Sequence, residues 1–340
     1  MKALVRTGLG ENDVELQEIP EPTPGPGQVK IKIKAVGICG TDIHGHPSLV
    51  PPIVLGHELS GDIVELGPGV SKRKIGDRVT SETTYEICNK CRFCKIEEYS
   101  LCIDRKGIST KAPGAFAPYM VIREESTHVL PDHVSYEAGA LCEPLACAVH
   151  AVIEQAKVTS DEVVLVIGPG PLGLFSVQAA KACGAAVVVA GISQDASRLE
   201  LAKTLGADRI VNVQEEDIVQ ISKDMTDGYG FDTAFECSGA VPAVQTALST
   251  VKKKGKYVQA GILHKDVTVD FDDIFFVREI TMLGSHTQKP SSWRKTLELL
   301  DQKKVDLQAL VSGELPLDKW QEGFEKFRKK EVIKLVLKPE

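Results

Sequence analysis

The chain has 340 residues, of which 43% are hydrophobic and 26% are charged, and its formal net charge is −7. This composition is typical of a folded protein and the length of about two domains, whereas the acidic balance argues against a nucleic-acid partner, which would require a basic surface. The first 20 residues contain no long apolar segment typical of a signal peptide, and no stretch reaches the roughly 18 apolar residues of a membrane span. We therefore expect a cytoplasmic protein that has no membrane partner.

The first part of the chain has the pattern of short antiparallel strands. Residues 28–38 alternate in part between apolar and polar side chains, which is the period of a half-buried strand. Similar patterns, separated by glycine and proline, occur at residues 60–66, 77–81 and 119–123, and the segment EPTPGPG at residues 21–27 is predicted as a loop. These features predict a domain rich in strands and loops.

Near Ala148 the pattern changes to alternating strands and helices. Residues 162–168 (EVVLVIG) form an almost continuous aliphatic run, typical of a strand that is buried on both faces of a parallel sheet. Further strand-like segments lie at residues 185–191, 207–213, 231–239, 256–262 and 279–285. Because helix-compatible segments separate several of them, we predict a doubly wound parallel sheet. Beyond it, helices are predicted at residues 293–303 and 317–330 and a last strand at residues 333–337.

A glycine-rich segment follows the first strand of the predicted parallel sheet. Gly168, Gly170 and Gly173 match the pattern G-x-G-x-x-G, and Leu172 lies at the start of the following helix. The first glycine permits a tight turn, the second lets a pyrophosphate approach the backbone, and the third lets helix and strand pack closely. The N-terminus of the helix adds free N–H groups and a positive dipole end. This context favours a dinucleotide site over a glycine-rich turn that binds nothing.

The type of nucleotide depends on the end of the second strand. Folds that bind NAD usually carry an acidic residue there, which holds the ribose 2′-hydroxyl, but this chain has Gly191. Without that carboxylate a 2′-phosphate is not repelled, and Ser193 and Arg198 are candidates to contact it. Asp195 is a candidate ribose ligand in a displaced position. We favour NADP, with NAD or the use of both nucleotides as alternatives.

Four of the nine cysteines lie within fifteen residues: Cys88, Cys91, Cys94 and Cys102. In a reducing compartment such a cluster indicates metal ligation before disulfides. Four thiolates can close a tetrahedron around one Zn²⁺, and a site with no open position is structural. An iron–sulfur cluster uses similar spacings, and four unliganded thiols are a further alternative. We prefer zinc because nothing else in the sequence indicates electron transfer. The four cysteines outside the metal motifs, Cys142 among them, are expected to be small buried residues.

A second set of potential ligands is more dispersed. The candidates, in chain order, are Cys39, Thr41, His44, His57, Glu58 and Glu143. A catalytic zinc needs about three protein ligands and one open position. Cys39 and His57 supply two ligands, and either glutamate supplies the third. Taken singly, these residues also fit ordinary roles as a core cysteine, a hydrogen-bonded loop histidine and surface acids.

In this order, the motifs C-G-T-D-x-H, G-H-E, the four-cysteine loop, E-P-L and G-x-G-x-x-G resemble the zinc-containing medium-chain dehydrogenases over essentially the whole chain. The resemblance implies an α/β protein with two domains. Residues 1–147 and 287–340 would form a GroES-like, β-rich catalytic domain, and residues 148–286 a doubly wound Rossmann domain, with the active site in the cleft between them. It also implies one catalytic and one structural zinc, NAD or NADP as cofactor, and a homodimer or homotetramer.

By the same resemblance, Cys39, His57 and a glutamate bind the catalytic metal, with Glu58 and Glu143 exchanging places or bracketing the bound water. Thr41 corresponds to the proton-relay hydroxyl, and His44 either hands the proton onward or is a structural histidine. A glutamate at position 143, where the alcohol dehydrogenase branch has cysteine, resembles the sorbitol, threonine and other polyol dehydrogenases. The implied reaction is oxidation of a secondary alcohol to a ketone or ketose by hydride transfer to NAD(P).

Several segments, among them SETTYEICNKC and KPSSW, resemble more narrowly the bacterial arabitol-phosphate dehydrogenases, which implies a polyol phosphate as substrate. The Arg-Tyr pair of sorbitol dehydrogenases is replaced by His286-Thr-Gln-Lys289. Lys289 is a candidate to pair with a substrate phosphate, and the alternative is a solvated loop lysine. Two other functions stay open: a threonine-type amino-alcohol dehydrogenase, disfavoured by Tyr85 where such enzymes have histidine, and a non-catalytic member of the fold.

Overall fold

The chain folds into two units in the computed structural model, which describes residues 1–339. Unit 1 comprises residues 1–143, 288–301 and the chain from residue 307 onward, and unit 2 comprises residues 144–287 and 302–306. Among the described residues, no helix combines the length and the apolar character needed to cross a membrane.

The regular elements alternate along the chain as follows. The strands are β1 (Lys2–Arg6), β2 (Val14–Glu18), β3 (Gln28–Gly37), β4 (Ile53–Val54), β5 (Glu58–Leu66), β6 (Arg78–Ser81), β7 (Thr84–Glu86), β8 (Lys106–Gly107), β9 (Tyr119–Arg123), β10 (Thr127–Val129), β11 (Val163–Ile167), β12 (Ala186–Gly191), β13 (Arg209–Asn212), β14 (Phe231–Glu236), β15 (Val251–Gln259), β16 (Thr281–Gly284), β17 (Val311–Pro316) and β18 (Lys334–Lys338). The α-helices are α1 (Gly40–His44), α2 (Arg92–Lys95), α3 (Tyr136–Ala140), α4 (Cys142–Val149), α5 (Pro171–Ala182), α6 (Ala196–Thr204), α7 (Ile218–Asp224), α8 (Val241–Thr250), α9 (Pro290–Asp301) and α10 (Trp320–Arg328).

Unit 1 is built on a seven-stranded sheet in the order β10-β6-β5-β3-β18-β17, with β9 also paired to β3. The neighbours are antiparallel except β17 and β18, which are parallel. Strand β18 therefore brings the end of the chain beside β3, and Leu335 and Leu337 join Ile31 and Ile33 in one apolar core. The sequence predicts the β-rich character of this unit, and β9 has the predicted bounds.

Unit 2 contains one six-stranded sheet in the order β13-β12-β11-β14-β15-β16. All of its pairs are parallel, which confirms the predicted doubly wound sheet. Because β11 lies in the middle, the chain first moves outward to β13 and then returns to place β14 on the other side of β11. Ligands of such sheets bind beyond the carboxyl ends of the strands where the order reverses, and the glycine-rich segment after β11 lies at this point.

Seven strands and three cysteines differ from the sequence expectations. The sequence does not predict β1, β2, β4, β7, β8, β10 and β17, because short strands with mixed polarity give weak periodicity. The expectation that all four non-motif cysteines are buried is right for Cys142, which has no exposed surface, and wrong for Cys147, Cys183 and Cys237, which are partly exposed.

Candidate active site

Three side chains from separate elements of unit 1 meet at one place. Cys39 precedes α1, His57 lies between β4 and β5, and Glu58 begins β5. One potential ligand atom from each lies within 4.8 Å of those of the other two. The set of one thiol, one imidazole and one carboxylate fits the three protein ligands of a catalytic zinc site.

Asp42, to which the sequence analysis assigns no role, holds this group together. Its side chain is fully buried, and its Oδ1 lies 3.4 Å from His57 Nδ1. The backbone N–H groups of Cys39 and Gly56 donate to the same carboxylate at 2.9 and 3.2 Å. A carboxylate on one imidazole nitrogen orients the ring and leaves the other nitrogen for a metal. A sequence signal exists, because an acid three residues after Cys39 at the start of a helix is the spacing of an N-terminal cap.

The charges in this group shift each other's pKa values. Burial alone would raise the pKa of Asp42, but His57 and the two backbone N–H groups outweigh burial and hold that pKa below its usual value. Burial likewise would lower the pKa of His57, but the charges of Asp42 and Cys39 outweigh it and raise the pKa well above its usual value. The negative charges around the imidazole therefore favour a positive charge there, and a bound metal ion would also supply one.

Lys334 of β18 is a second residue without a predicted role. Its Nζ donates to Glu58 Oε1 and, at 3.0 Å, to the carbonyl oxygen of Ile38, and both charged side chains are buried. Burial alone would lower the pKa of Lys334, but Glu58, then Cys39 and finally Glu143 outweigh it and raise the pKa. Within residues 1–339, Glu58 Oε2 is buried without a hydrogen-bond partner. Such an oxygen is costly in a protein interior, and a cation held with Cys39 and His57 would satisfy it.

The remaining candidates lie at different depths. Glu143 in α4 is only 6% exposed, and its Oε1 accepts a hydrogen bond from Gln288 Nε2 at 3.0 Å. Among the described residues Glu143 is outside the group of ligand atoms within 4.8 Å. Thr41 is half-buried in α1, whereas His44 at the end of the same helix is exposed, with its Nδ1 3.0 Å from Glu11 Oε1. The proton-relay roles of Thr41 and His44 stay predictions.

The four-cysteine loop brings its sulfur atoms together as the spacing predicts. The Sγ atoms of Cys88, Cys91, Cys94 and Cys102 all lie within 4.8 Å of one another, and that of Cys94 is 3.5 Å from Cys91 Sγ and 3.9 Å from Cys88 Sγ. These separations are too long for a disulfide bond. The Cys94 backbone N–H is the main cause that lowers the pKa of Cys91 to about 6, whereas burial raises the pKa of Cys94 to about 12. Four converging sulfur atoms with N–H donors fit a closed zinc site.

The glycine-rich turn in unit 2 has the geometry of a phosphate-binding loop. Gly168 has φ +93°, which favours glycine, and α5 begins with Pro171 directly after Gly170. A Cβ atom at Gly173 would lie 2.0 Å from the Gly168 carbonyl oxygen, whereas a Cβ at Gly170 would meet nothing within 4 Å. The third glycine is therefore needed for packing, and the second leaves open backbone in front of the first turn of α5, where Leu172 lies.

A pocket of about 460 Å³ opens beside the end of β12. Gly191 ends this strand, and the side chain of Asn212 donates to Ser193 Oγ at 2.9 Å. Asp195 Oδ2 accepts the N–H of Ile192 at 3.2 Å, so this carboxylate is used as a local cap. Arg198 is half-buried; burial lowers its pKa and Asp195 opposes that shift. Three acidic residues without a predicted role line the pocket together with Ser193 and Asn212: Glu200, Glu215 and Glu216.

Lys289 is mostly buried and ion-paired, unlike a solvated loop lysine. Its Nζ is 2.9 Å from Glu98 Oε1, and the two side chains are 23% and 24% exposed. Glu98 belongs to the four-cysteine loop, so Lys289 already has a protein partner there. Its role toward a substrate phosphate stays a prediction.

Comparison with known proteins places these sites in a family context. The family described as "Alcohol dehydrogenase GroES-like domain" matches residues 25–132, and the family described as "Zinc-binding dehydrogenase" matches residues 171–302. The chain is 45% identical to a sorbitol dehydrogenase of Halalkalibacterium halodurans, with 100% of this chain and 99% of that protein covered. It is 41% identical to the D-arabitol-phosphate dehydrogenase of Enterococcus avium, with 99% and 97% covered. A solved structure of a zinc-binding dehydrogenase from Sinorhizobium meliloti 1021 bound to NADP superimposes with a TM-score of 0.90 at 29% identity, with 99% of each chain covered.

The buried pair of Glu58 and Lys334 gives a stability prediction. Lys334→Met leaves a buried carboxylate without its cation, and we expect a loss of about 3–5 kcal/mol in the free energy of unfolding. The matched control is Lys338→Met in the same strand, whose lysine is 38% exposed and pairs with Glu137 and Glu314; here we expect a loss below about 1 kcal/mol. Urea unfolding monitored by circular dichroism measures both, and equal losses for the two variants would contradict the prediction.

Proposed function

This chain belongs to the zinc-binding medium-chain polyol dehydrogenases, and we propose that it oxidises a secondary alcohol of a polyol phosphate, such as arabitol phosphate, or of the free polyol, to the ketose. The observation that carries the proposal is the convergence of Cys39, His57 and Glu58 near a second buried glutamate, Glu143, in a chain so similar to sorbitol and arabitol-phosphate dehydrogenases. The electron acceptor is NAD or NADP.

We propose the following roles for the residues of this site. Cys39, His57 and Glu58 would hold the catalytic Zn²⁺, which when bound supplies a Lewis acid that lowers the pKa of a substrate hydroxyl. Asp42 keeps the His57 ring in position through Nδ1. Thr41, two residues after Cys39, would take up the hydroxyl proton and pass it outward.

Two further side chains complete the proposed proton path and site. His44 is exposed at the end of the helix that carries Thr41, next to Glu11, and would release the proton to solvent. Glu143 would exchange places with Glu58 at the metal or orient a water molecule beside it. Its burial and its hydrogen bond from Gln288 support a carboxylate with a fixed orientation.

We propose two zinc ions per chain, one at Cys39, His57 and Glu58 and one at the four cysteines. Purified protein should contain about two zinc ions per chain by mass spectrometry of the metal, since both ligand sets are already assembled. Cys94→Ser should leave about one, and His57→Ala should also leave about one and abolish the activity. Cys183→Ser, outside both ligand sets, is the control and should retain both ions. A single ion that resists both substitutions would contradict this assignment.

Residues in and near the pocket beside the end of β12 act in opposite directions on a 2′-phosphate. Ser193 in the lining, and Gly191 and Arg198 next to lining residues in the chain, favour a 2′-phosphate, whereas the three glutamates that line the pocket oppose it. The similar solved structure that is bound to NADP supports binding of a 2′-phosphate. We therefore propose that the chain uses NADP and also accepts NAD.

Initial rates on paired substrates test the proposed reaction. Arabitol phosphate and arabitol, each with NAD and NADP, are compared with sorbitol, xylitol and threonine. We expect arabitol phosphate or free arabitol to be oxidised faster than threonine. Because the charges at the nucleotide pocket oppose one another, we expect the kcat/KM values with the two nucleotides to differ by less than about tenfold, which corresponds to about 1.4 kcal/mol. Turnover of threonine alone would make the substrate class wrong.

We also propose that the chain forms a homodimer through the edge of the sheet in unit 2. Strand β16 is one of the two edge strands of this sheet, and several large apolar side chains are exposed on it or in the segment that precedes it: Phe271, Phe275, Phe276, Val277 and Met282. An unpaired strand edge next to exposed apolar side chains favours self-association. Light scattering should give about twice the 36.8 kDa of one chain, or about four times for a tetramer. A monomer mass would exclude both.

A further inference from the structure

Two consecutive residues of unit 1 connect the two candidate metal sites. Gln288 and Lys289 precede helix α9 and face different partners. Gln288 Nε2 donates to Glu143 Oε1 at 3.0 Å, and Lys289 Nζ is 2.9 Å from Glu98 Oε1. Glu143 belongs to the proposed catalytic site, and Glu98 lies in the loop between Cys94 and Cys102.

The contact between Gln288 and Glu143 is well shielded from solvent. Gln288 is 5% exposed and Glu143 is 6% exposed. A hydrogen bond to a buried carboxylate is stronger than one at the surface and fixes which way its oxygens point. An amide donates this bond without adding a charge to the site.

The four-cysteine loop offers a rigid support for Lys289. The N–H of Glu98 donates to the carbonyl oxygen of Phe93 at 2.9 Å, and its own carbonyl accepts the N–H of Leu101 at 3.0 Å. The backbone of Glu98 is thus part of the turn that brings the sulfur atoms together. Its carboxylate and the Lys289 ammonium are each about a quarter exposed, so water weakens their attraction only in part.

Helix α9 makes further contacts within unit 1 through Trp293. Trp293 is fully buried, and its ring stacks on that of His128 at 4.8 Å with 5° between the planes. His128 in turn lies 3.1 Å from Glu82 Oε1. With the helix held by Trp293 and the residue before it held by Glu98, the backbone at Gln288 has little freedom to move.

We propose that Gln288 is a positioning residue for Glu143, and that the ion pair between Lys289 and Glu98 holds Gln288 in place and thereby couples the four-cysteine loop to the catalytic site. This inference rests on the proposed function, because it gives Glu143 a role in that reaction. It assigns Lys289 to an anchor rather than to a substrate phosphate. The Glu98→Gln substitution distinguishes the two roles. It should lower the activity if Lys289 is an anchor that needs its acidic partner, and it should not if Lys289 binds the substrate phosphate.

The test compares Lys289→Met, Glu98→Gln, the double variant and Gln288→Leu, with the isosteric Gln288→Glu as a second variant at that position. Lys295→Met and Glu298→Gln are matched controls, because this pair lies on the same helix at 3.0 Å and is exposed. For each protein, kcat and KM are measured with free and phosphorylated polyol. Zinc content reports on both metal sites without turnover. The visible spectrum of the protein with cobalt at the catalytic site reports on the geometry of that site.

We expect both Gln288 variants to lower kcat about ten- to hundredfold, as is usual when a residue that orients a ligand is lost, with little change in KM. Lys289→Met and Glu98→Gln should each lower kcat for both substrates to a similar, smaller degree, and the double variant should be no worse than either single variant. The cobalt spectrum should shift in all of them, while the control variants match the unmodified protein.

Three results would overturn the proposal. A rise in KM for the phosphorylated polyol alone in Lys289→Met, with Glu98→Gln unchanged, would make Lys289 a phosphate ligand. Gln288 variants with unchanged kcat and cobalt spectrum would remove its positioning role. Loss of the cysteine-bound zinc in Cys94→Ser, with kcat and the catalytic metal unchanged, would show that the two sites are independent. Failure of the proposed function is recognised separately, because the unmodified protein would then turn over no polyol while the cobalt spectra would still report on Gln288.

Discussion

A buried ion pair joins two distant parts of the chain in unit 1, Glu58 at the start of β5 and Lys334 in β18. Two charges are removed from water in such a pair, and their mutual contact and the Ile38 carbonyl compensate part of the lost hydration. The pair forms only when the end of the chain returns to the sheet that the first part of the chain began. This requirement explains why unit 1 is discontinuous in sequence while unit 2 is almost continuous.

The same pair sets the electrostatics of the candidate catalytic site. Asp42, Glu58, Glu143 and the Cys39 thiol are all potential anions in a small region, and Lys334, His57 and the buried Arg6 are cations close to them. The raised pKa values of Lys334 and His57 reflect the negative groups around them. A divalent metal ion would balance these groups and would also meet the buried, unpartnered oxygen of Glu58. The ligand set and the surrounding charge thus favour the same occupant.

The sequence predicts those parts of the site whose signal is local. The four cysteines are close in the chain, and the glycines must follow one another at fixed spacing because Gly173 packs against the Gly168 carbonyl. Other contacts join distant residues: Glu58 and Lys334 are 276 positions apart, Gln288 and Glu143 145, and Lys289 and Glu98 191. A lysine in a strand or a glutamine in a loop carries no periodic or spacing signal for a partner so far away. Only the folded sheet and the position of α9 reveal these pairs.

The nucleotide site shows the same limit within a shorter stretch. Backbone geometry determines that a phosphate can approach α5, and this follows from glycine spacing alone. Preference for one nucleotide is decided by side chains around the end of β12, and these come from different elements: Ser193 follows β12, Asn212 ends β13, and Glu215 and Glu216 lie beyond it. Reading Gly191 alone gives a site that favours a 2′-phosphate, whereas the folded pocket adds carboxylates that oppose it. We therefore expect discrimination between NAD and NADP to depend on the charges that the parallel pairing of β12 and β13 brings together.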